Sequence, residues 1–178
     1  QSYNPIDKKL RKDILKRAYE SGCKTLVVLA DVPTFGYRAK EIISGLSMPP
    51  KLTLKNILQI LGKPNWAINT LIYGQPRFKN LSPYIKKNMS MRQLGKFMDE
   101  TFSGRINPEI IKPIREQWKG NLVLKGVSSI SDAKDAIKIG FDGIIVSNHG
   151  GRQLDAGNSS IKSLIKIVKQ IDKNCLLY

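Results

Sequence analysis

Short apolar runs alternate with amphipathic stretches along most of the chain, and that alternation predicts strands and helices in turn. Gln1-Ser2-Tyr3 reads as the tail of a strand and Asn4-Pro5 as a turn. Asp7 is placed to cap a helix whose apolar positions, Leu10, Ile14, Leu15 and Ala18, recur at helical spacing, and Gly22 stops it. Residues 25–30 (TLVVLA) predict a buried strand, closed by Asp31 and Pro33. Further on, Asn107-Pro108-Glu109 predicts a helix start, with Ile111, Ile114 and Trp118 on its buried side. Pro113 inside that pattern predicts a kink or a later start. Residues 121–125 predict a strand, Ser131 caps a helix over 132–139 that Gly140 ends, and residues 143–146 predict the next strand. Ile161, Leu164, Ile165, Val168 and Ile171 mark another amphipathic helix, and residues 175–178 begin a further strand.

Strand–helix alternation argues for an α/β fold with a parallel sheet and right-handed crossovers. The step from Leu122 to Gly143 closes one unit in about 20 residues, a spacing that suits a (β/α)8 TIM barrel. About 70 residues interrupt the pattern after the first strand, too many for a plain loop in a compact domain. Residues 39–106 are therefore expected as an inserted loop or lid segment within one domain over 1–178. In it, Thr53 caps a helix over 54–61 that Gly62 stops, and residues 65–88 carry Trp66, Tyr73, Phe78 and Tyr84 among Pro and Gly. The segment is either a subdomain on the mouth of the barrel or a lid or membrane contact. Residues 40–63 mix Ile42, Ile43, Leu46, Met48, Leu52 and Leu54 with Lys40, Lys51, Lys55 and Lys63, a combination suited to an anionic interface.

Composition narrows the field of partners. No apolar run approaches the roughly 20 residues that span a bilayer, and no signal-type segment opens the chain. Cys23 and Cys175 read as buried free thiols, which suits a reducing compartment, and one histidine with two cysteines does not make a zinc site. A net charge of +16 suggests nucleic acid, an anionic membrane surface, or solvated faces written in lysine. No nucleic-acid-binding motif accompanies it, so no nucleic-acid partner is expected. The expected location is cytoplasmic, peripheral on the inner face of a membrane.

The chemistry gathers after the strand at 143–146, in Ser147-Asn148-His149-Gly150-Gly151-Arg152-Gln153-Leu154-Asp155. His149 is the only histidine, and Arg152 follows it across two glycines that let the backbone turn tightly. A base and a carboxylate-binding cation then share one loop at the carboxyl end of a strand, where such folds carry their chemistry. The plain alternative is a Gly-rich turn with a surface His and Arg. SNHGGRQLD resembles the signature of the FMN-dependent 2-hydroxy-acid dehydrogenases and oxidases, a family that includes glycolate oxidase, L-lactate dehydrogenase and (S)-mandelate dehydrogenase. Residues 31–38 (DVPTFGYR) and 122–126 (LVLKG) match the same family in the same order, and the similarity covers nearly the whole chain.

The resemblance implies a partial barrel, a fragment running from the end of strand 3 to the start of strand 7. The loops that hold the FMN phosphate would lie outside it. It implies FMN as cofactor and oxidation of an (S)-2-hydroxy acid, L-lactate or a relative, to the 2-oxo acid. It makes His149 the base and Asp31 the carboxylate that orients it and stabilises the imidazolium. Arg38 and Arg152 become a clamp for the substrate carboxylate, for which the guanidinium fork is suited, and Tyr3 a hydrogen-bond donor to substrate. Lys125 would sit by the flavin pyrimidine edge, with Gln1 and Ser147 as further flavin contacts. Leu29 stands where the family has Thr, and a hydroxyl contact toward the flavin is lost. The resemblance also implies a quinone as electron acceptor and a homo-oligomer. An oxygen-using oxidase of the same family is the first alternative. A Schiff-base barrel lyase using Lys125 is the second, and a non-enzymatic polyanion binder the third.

Overall fold

The structure is a computed structural model that describes residues 1–32, 39–45, 47, 51, 53–74, 78–86, 88–102, 106–154, 156–171 and 175–178. In chain order the elements are α1 (Lys8–Glu20), β1 (Thr25–Leu29), α2 (Ala39–Ile43), α3 (Leu54–Leu61), α4 (Pro64–Tyr73), α5 (Met91–Phe102), α6 (Pro108–Gln117), β2 (Asn121–Val127), α7 (Ile130–Ile139), β3 (Gly143–Val146), α8 (Ser160–Val168) and β4 (Leu176–Leu177). The chain divides into two compact units, one of Gln1–Tyr37 with Asp99–Tyr178 and one of Arg38–Met98.

The first unit holds a parallel sheet in which spatial order follows sequence order, β1-β2-β3-β4. Ser2 adds a single parallel bridge to Val28 on the free side of β1. The arrangement is an arc of a (β/α)8 barrel. Alternation along the strands separates two faces. Leu26, Val28, Leu122, Leu124, Ile144 and Val146 are buried in one cluster with Leu15, Ile111, Ile114, Trp118, Ala133, Ala136 and Ile167 from the helices. These strand positions are all even-numbered, so Leu29, Val123, Lys125 and Ile145 face the other way, toward the barrel axis. Trp118, 1% exposed, locks the layer: its ring meets Tyr19 of α1 edge-on at 5.7 Å and its indole N–H donates to the Asn121 carbonyl at 3.0 Å.

Asp7 caps α1, accepting from the Leu10 N–H at 2.6 Å, and Thr53 caps α3 by accepting from Asn56 at 3.2 Å, both as the sequence predicts. Pro113 neither stops nor delays α6. It sits on the exposed side, where the one carbonyl it leaves without an amide partner meets water. Four expectations are corrected. The cap of α7 is Ser129, whose hydroxyl accepts from the Asp132 N–H at 3.1 Å, and not Ser131, because starting two residues earlier packs Ile130 against the core. Cys23 is exposed; only Cys175 is buried, and burial pushes its thiol pKa up, with the charge of Asp142 adding to the effect. The buried stripe of α8 is Ser163 and Ile167, with Leu164 and Ile171 packed beside it, while Ile161, Ile165 and Val168 are exposed. Ser163 is buried, and α8 packs against β3. Finally, α4 and α5 form where no helix was expected.

One cation fastens the amino-terminal ends of β2 and β3. The Arg115 guanidinium donates to the carbonyls of Trp118, Gly120 and Gly140 and to the Asp142 carboxylate at 3.0 Å. The same carboxylate oxygen accepts from the Leu122 N–H at 2.8 Å. Asp142 is half exposed, so the stability gained comes mainly from satisfying carbonyls and only weakly from the ion pair. Arg115→Ala is expected to cost about 1–2 kcal/mol, read as a lower urea midpoint with an unchanged slope.

The second unit, described by itself, contains α2, α3 and α4, with α3 and α4 packed as a helical hairpin through Gly62 and Lys63. Asn56 is its buried polar anchor, its amide donating to the Lys51 carbonyl at 2.8 Å. Much of its apolar surface is uncovered: Ile43, Leu54, Leu58, Leu61, Trp66, Leu71, Ile72 and Tyr73 are all more than half exposed. Lys51, Lys55 and Lys63 are exposed beside them.

Candidate functional site

Parallel strands bring their carboxyl ends to one side, and Tyr3, Asp31, Lys125, Ser147, His149 and Arg152 lie at or just past those ends. Leu29 pairs in register with Lys125, and Lys125 with Ile145. Because Ser2 bridges Val28, Tyr3 extends the same row. Beyond that row Asp31 follows β1 and the Ser147–Arg152 loop follows β3.

The ladder breaks between Lys125 and Val127, where two residues of β2 oppose one of β3. Gly126, with φ of 97°, is the extra residue of this bulge. One consequence is a change of face: Val127 joins the helix-side core instead of following Lys125 toward the barrel axis. The other is room for Asp31. A Cβ on Gly126 would overlap the Asp31 carboxyl carbon and lie 2.5 Å from its Cβ and 2.7 Å from Oδ1.

After β3 the backbone stays left-handed for three residues: φ is 57° at His149, 66° at Gly150 and 72° at Gly151. His149 is the one non-glycine with positive φ among the described residues. The loop is held from within. Ser147 Oγ accepts from the His149 N–H at 3.1 Å, and the Arg152 N–H donates to the His149 carbonyl at 3.3 Å. Asn148 Oδ1 accepts from the Gly150 N–H at 3.1 Å, while its Nδ2 donates to the Asn158 carbonyl at 3.2 Å.

This backbone delivers the imidazole to Asp31. His149 Nδ1 lies 3.2 Å from Asp31 Oδ1, with the two side chains 16% and 11% exposed. A carboxylate only accepts, so Nδ1 carries the proton and donates it, leaving the Nε2 lone pair free to take a proton. Among the described residues, none hydrogen-bonds the buried Asp31 Oδ2. An orphaned carboxylate oxygen costs folding energy and is characteristic of sites where charge develops during a reaction.

Of the other expected residues, Lys125 lies on the axis-facing row, half-buried between Leu29 and Ile145, with no carboxylate at ion-pair distance among the described residues. The Tyr3 ring is 44% exposed and meets Phe102 edge-on at 6.4 Å. Gln1 and Arg152 are exposed, and Ser147 spends its hydroxyl on the loop backbone. Arg38 lies outside the described residues. Two residues of the site, Asn148 and Gly126, carry roles that sequence reasoning did not assign. For Gly126 the signal is a lone glycine inside a strand, which marks a bulge or a close approach. A cavity of about 810 Å3 opens elsewhere, between α1 and α6, lined in part by Pro5, Arg11, Ile110 and Pro113; it contains none of these residues.

The sequence profile of the FMN-dependent dehydrogenases matches residues 1–178. The chain belongs to the FMN-dependent dehydrogenase family. Among curated relatives, it is similar to L-lactate dehydrogenase of Haemophilus influenzae (strain PittEE), 39% identical over 172 residues that cover 96% of this chain and 45% of the relative. It is also similar to L-lactate dehydrogenase of Bartonella tribocorum (strain CIP 105476 / IBS 506), 36% identical with coverage of 99% and 46%. The chain thus spans about half the length of the curated relatives it matches. Among solved structures, the monotopic membrane protein (S)-mandelate dehydrogenase superposes with a TM-score of 0.85 at 28% identity, covering 98% of this chain and 46% of that one. A mandelate oxidase with (S)-4-hydroxymandelic acid superposes at 0.68 and 26% identity, covering 98% and 43%. Membership in an FMN-dependent family leaves the Schiff-base lyase and the polyanion binder without support.

The residues present fit an FMN-dependent dehydrogenase. Leu29 and Ile145 form an apolar strip along the axis-facing row, and Lys125 places one uncompensated ammonium in it. That combination suits a flat heterocycle with an electron-rich edge. Lys125, and by the family resemblance Ser147 and Gln1, would hold FMN here.

Proposed function

We propose that the whole protein oxidises an (S)-2-hydroxy acid, L-lactate or a close relative, to the 2-oxo acid. The substrate gives up two electrons and two protons; FMN, when bound, would supply the acceptor for the two electrons and one of the protons, and the other proton goes to the protein. His149 takes a substrate proton on Nε2. Asp31, already at Nδ1, stabilises the imidazolium as it forms, and the low exposure of both side chains strengthens that interaction. Arg152 and Arg38 bind the carboxylate and Tyr3 the substrate's polar end. Lys125 holds the flavin edge. The observation that carries this proposal is the Asp31–His149 contact at 3.2 Å across two strands of the sheet. The test is anaerobic mixing of the full-length, FMN-loaded protein with L-lactate, L-mandelate and glycolate while following the visible absorbance of oxidised flavin. Bleaching by at least one is expected; no bleaching by any of them overturns the reading.

The similarity to L-lactate dehydrogenases at 36–39% identity favours a dehydrogenase over an oxidase, and the family resemblance read from the sequence adds a membrane quinone as the acceptor. Two observations support a membrane contact through the inserted unit. Its hairpin exposes Leu54, Leu58, Leu61, Leu71 and Ile72 beside Lys51, Lys55 and Lys63, an apolar face rimmed by cations that matches an anionic bilayer. The solved (S)-mandelate dehydrogenase described above is a monotopic membrane protein. The exposed residues run through α4 to Tyr73, so they fall both in the 40–63 stretch and in the 65–88 segment for which a membrane contact was among the expectations from sequence. The expected result is co-flotation of the full-length protein with phosphatidylserine vesicles at low salt, reduced by Leu58→Glu with Leu71→Glu. Failure to float at low salt removes the membrane contact and leaves the active-site chemistry standing.

A further inference from the structure

We propose that Asn148 is the positioning residue that fixes the His149 imidazole against Asp31. The inference rests on His149 being the base.

The backbone from His149 to Gly151 is left-handed throughout, a conformation that strains the non-glycine His149. Two adjacent glycines have many other conformations available. Left to itself, such a loop would spread over several states and take the imidazole with it. Two side chains hold it. Ser147 Oγ accepts from the His149 N–H and fixes where the turn begins. Asn148 acts on both sides of the turn. Its Oδ1 accepts from the Gly150 N–H, inside the left-handed run, and its Nδ2 donates to the carbonyl of Asn158, just before the Ser159 cap of α8. One amide thereby closes the loop on itself and ties it to a helix packed against β3. The partners fix the amide's orientation, since a backbone N–H needs the oxygen and a carbonyl needs the nitrogen. His149 lies between these two anchors, and its Nδ1 contact with Asp31 is 3.2 Å, a distance that a small backbone rotation would break.

Asparagine is specific in this role. Aspartate keeps the acceptor for Gly150 and sets a carboxylate against the Asn158 carbonyl; alanine loses both bonds. Neither change touches Arg152, whose exposed guanidinium re-aims easily, or Lys125.

The test compares Asn148→Ala, Asn148→Asp and His149→Gln in the full-length protein. In Asn148→Ala, flavin reduction by saturating L-lactate falls roughly 10–100-fold, the scale of misplacing a reacting group by about 1 Å. Asn148→Asp falls in between. Binding of FMN and of 2-hydroxyisobutyrate, which has no α-hydrogen to lose, stays within about threefold of wild type. The hydrogen-bonded Nδ1–H resonance of His149, assigned by its disappearance in His149→Gln, weakens or vanishes in both Asn148 variants without FMN or substrate present. Wild-type reduction rates and an intact resonance in the Asn148 variants, with His149→Gln slow, overturn the proposal. So does an Asn148→Ala protein that loses ligand binding as severely as rate, because the residue would then hold the loop generally. A wild-type rate in His149→Gln instead refutes the base assignment itself.

Discussion

His149→Gln in the full-length protein will still hold FMN but will transfer electrons from L-lactate at least ~100-fold more slowly, the usual scale for losing a positioned base. The proposed flavin contact Lys125 lies on a different strand, β2, so retention of yellow protein separates the chemical role from a collapse of the site. Asp31→Asn is the companion change. It keeps the shape of the side chain and removes the charge that balances the imidazolium, so reduction slows as well. Its effect on folding has the opposite tendency. Among the described residues no donor reaches the buried Asp31 Oδ2, so exchanging the carboxylate for an amide is expected to leave the urea midpoint unchanged or raised. A slower and no less stable variant is the mark of a group kept for chemistry. The two residues act as a unit, so the double variant is less impaired than the product of the singles. Stopped-flow bleaching on all four proteins checks this, and a His149→Gln protein reduced at the wild-type rate would end the assignment.

Gly126→Ala is expected to be comparably severe for a different reason. One added methyl group would lie 2.5 Å from the Asp31 Cβ and 2.7 Å from Oδ1. Neither neighbour is the far end of a flexible chain. The φ of 97° adds strain that alanine cannot relieve without rotating the strand. Overpacking and backbone strain together predict a loss of about 2–4 kcal/mol. Asp31 is the atom group that must move, so the Nδ1 contact is lost and reduction falls roughly 100-fold even in the folded fraction. Urea midpoints and stopped-flow rates measure the two effects separately. A variant within about 0.5 kcal/mol of wild type and reduced at the normal rate would mean that the carboxylate does not rest on this glycine.

The barrel elements were legible because their signals are local. TLVVLA and the run at 143–146 could only be buried strands, and Asp7, Thr53 and Gly140 punctuated their helices as cap chemistry requires. The Asp31–His149 partnership came from the family resemblance, and the structure places the pair in contact. Other features depend on tertiary context. Ser129 and Ser131 are equally good caps in sequence, and only the packing of Ile130 chooses between them. The sequence of α8 offers two overlapping apolar stripes, and the one beside the buried Ser163 meets the sheet. Helix α4 was not expected because its aromatic residues face solvent and give no core stripe, although Pro64 at its start is a favoured opening residue. Asn148 looked like a loop polar residue because its two partners, at 150 and 158, are backbone groups and leave no trace in side-chain identity.

The 118-residue separation of Asp31 and His149 contrasts with the two strand spacings that divide them in the sheet. Most of that separation is the unit of Arg38–Met98, which enters and leaves between β1 and β2. Closing a longer loop costs only about 0.6 kcal/mol for each doubling of its length. The inserted unit can therefore grow, shrink or be exchanged with almost no thermodynamic penalty to the paired strands. The contact between Asp31 and His149 depends on the loops after β1 and β3 and not on the length of the unit that lies between β1 and β2 in the chain.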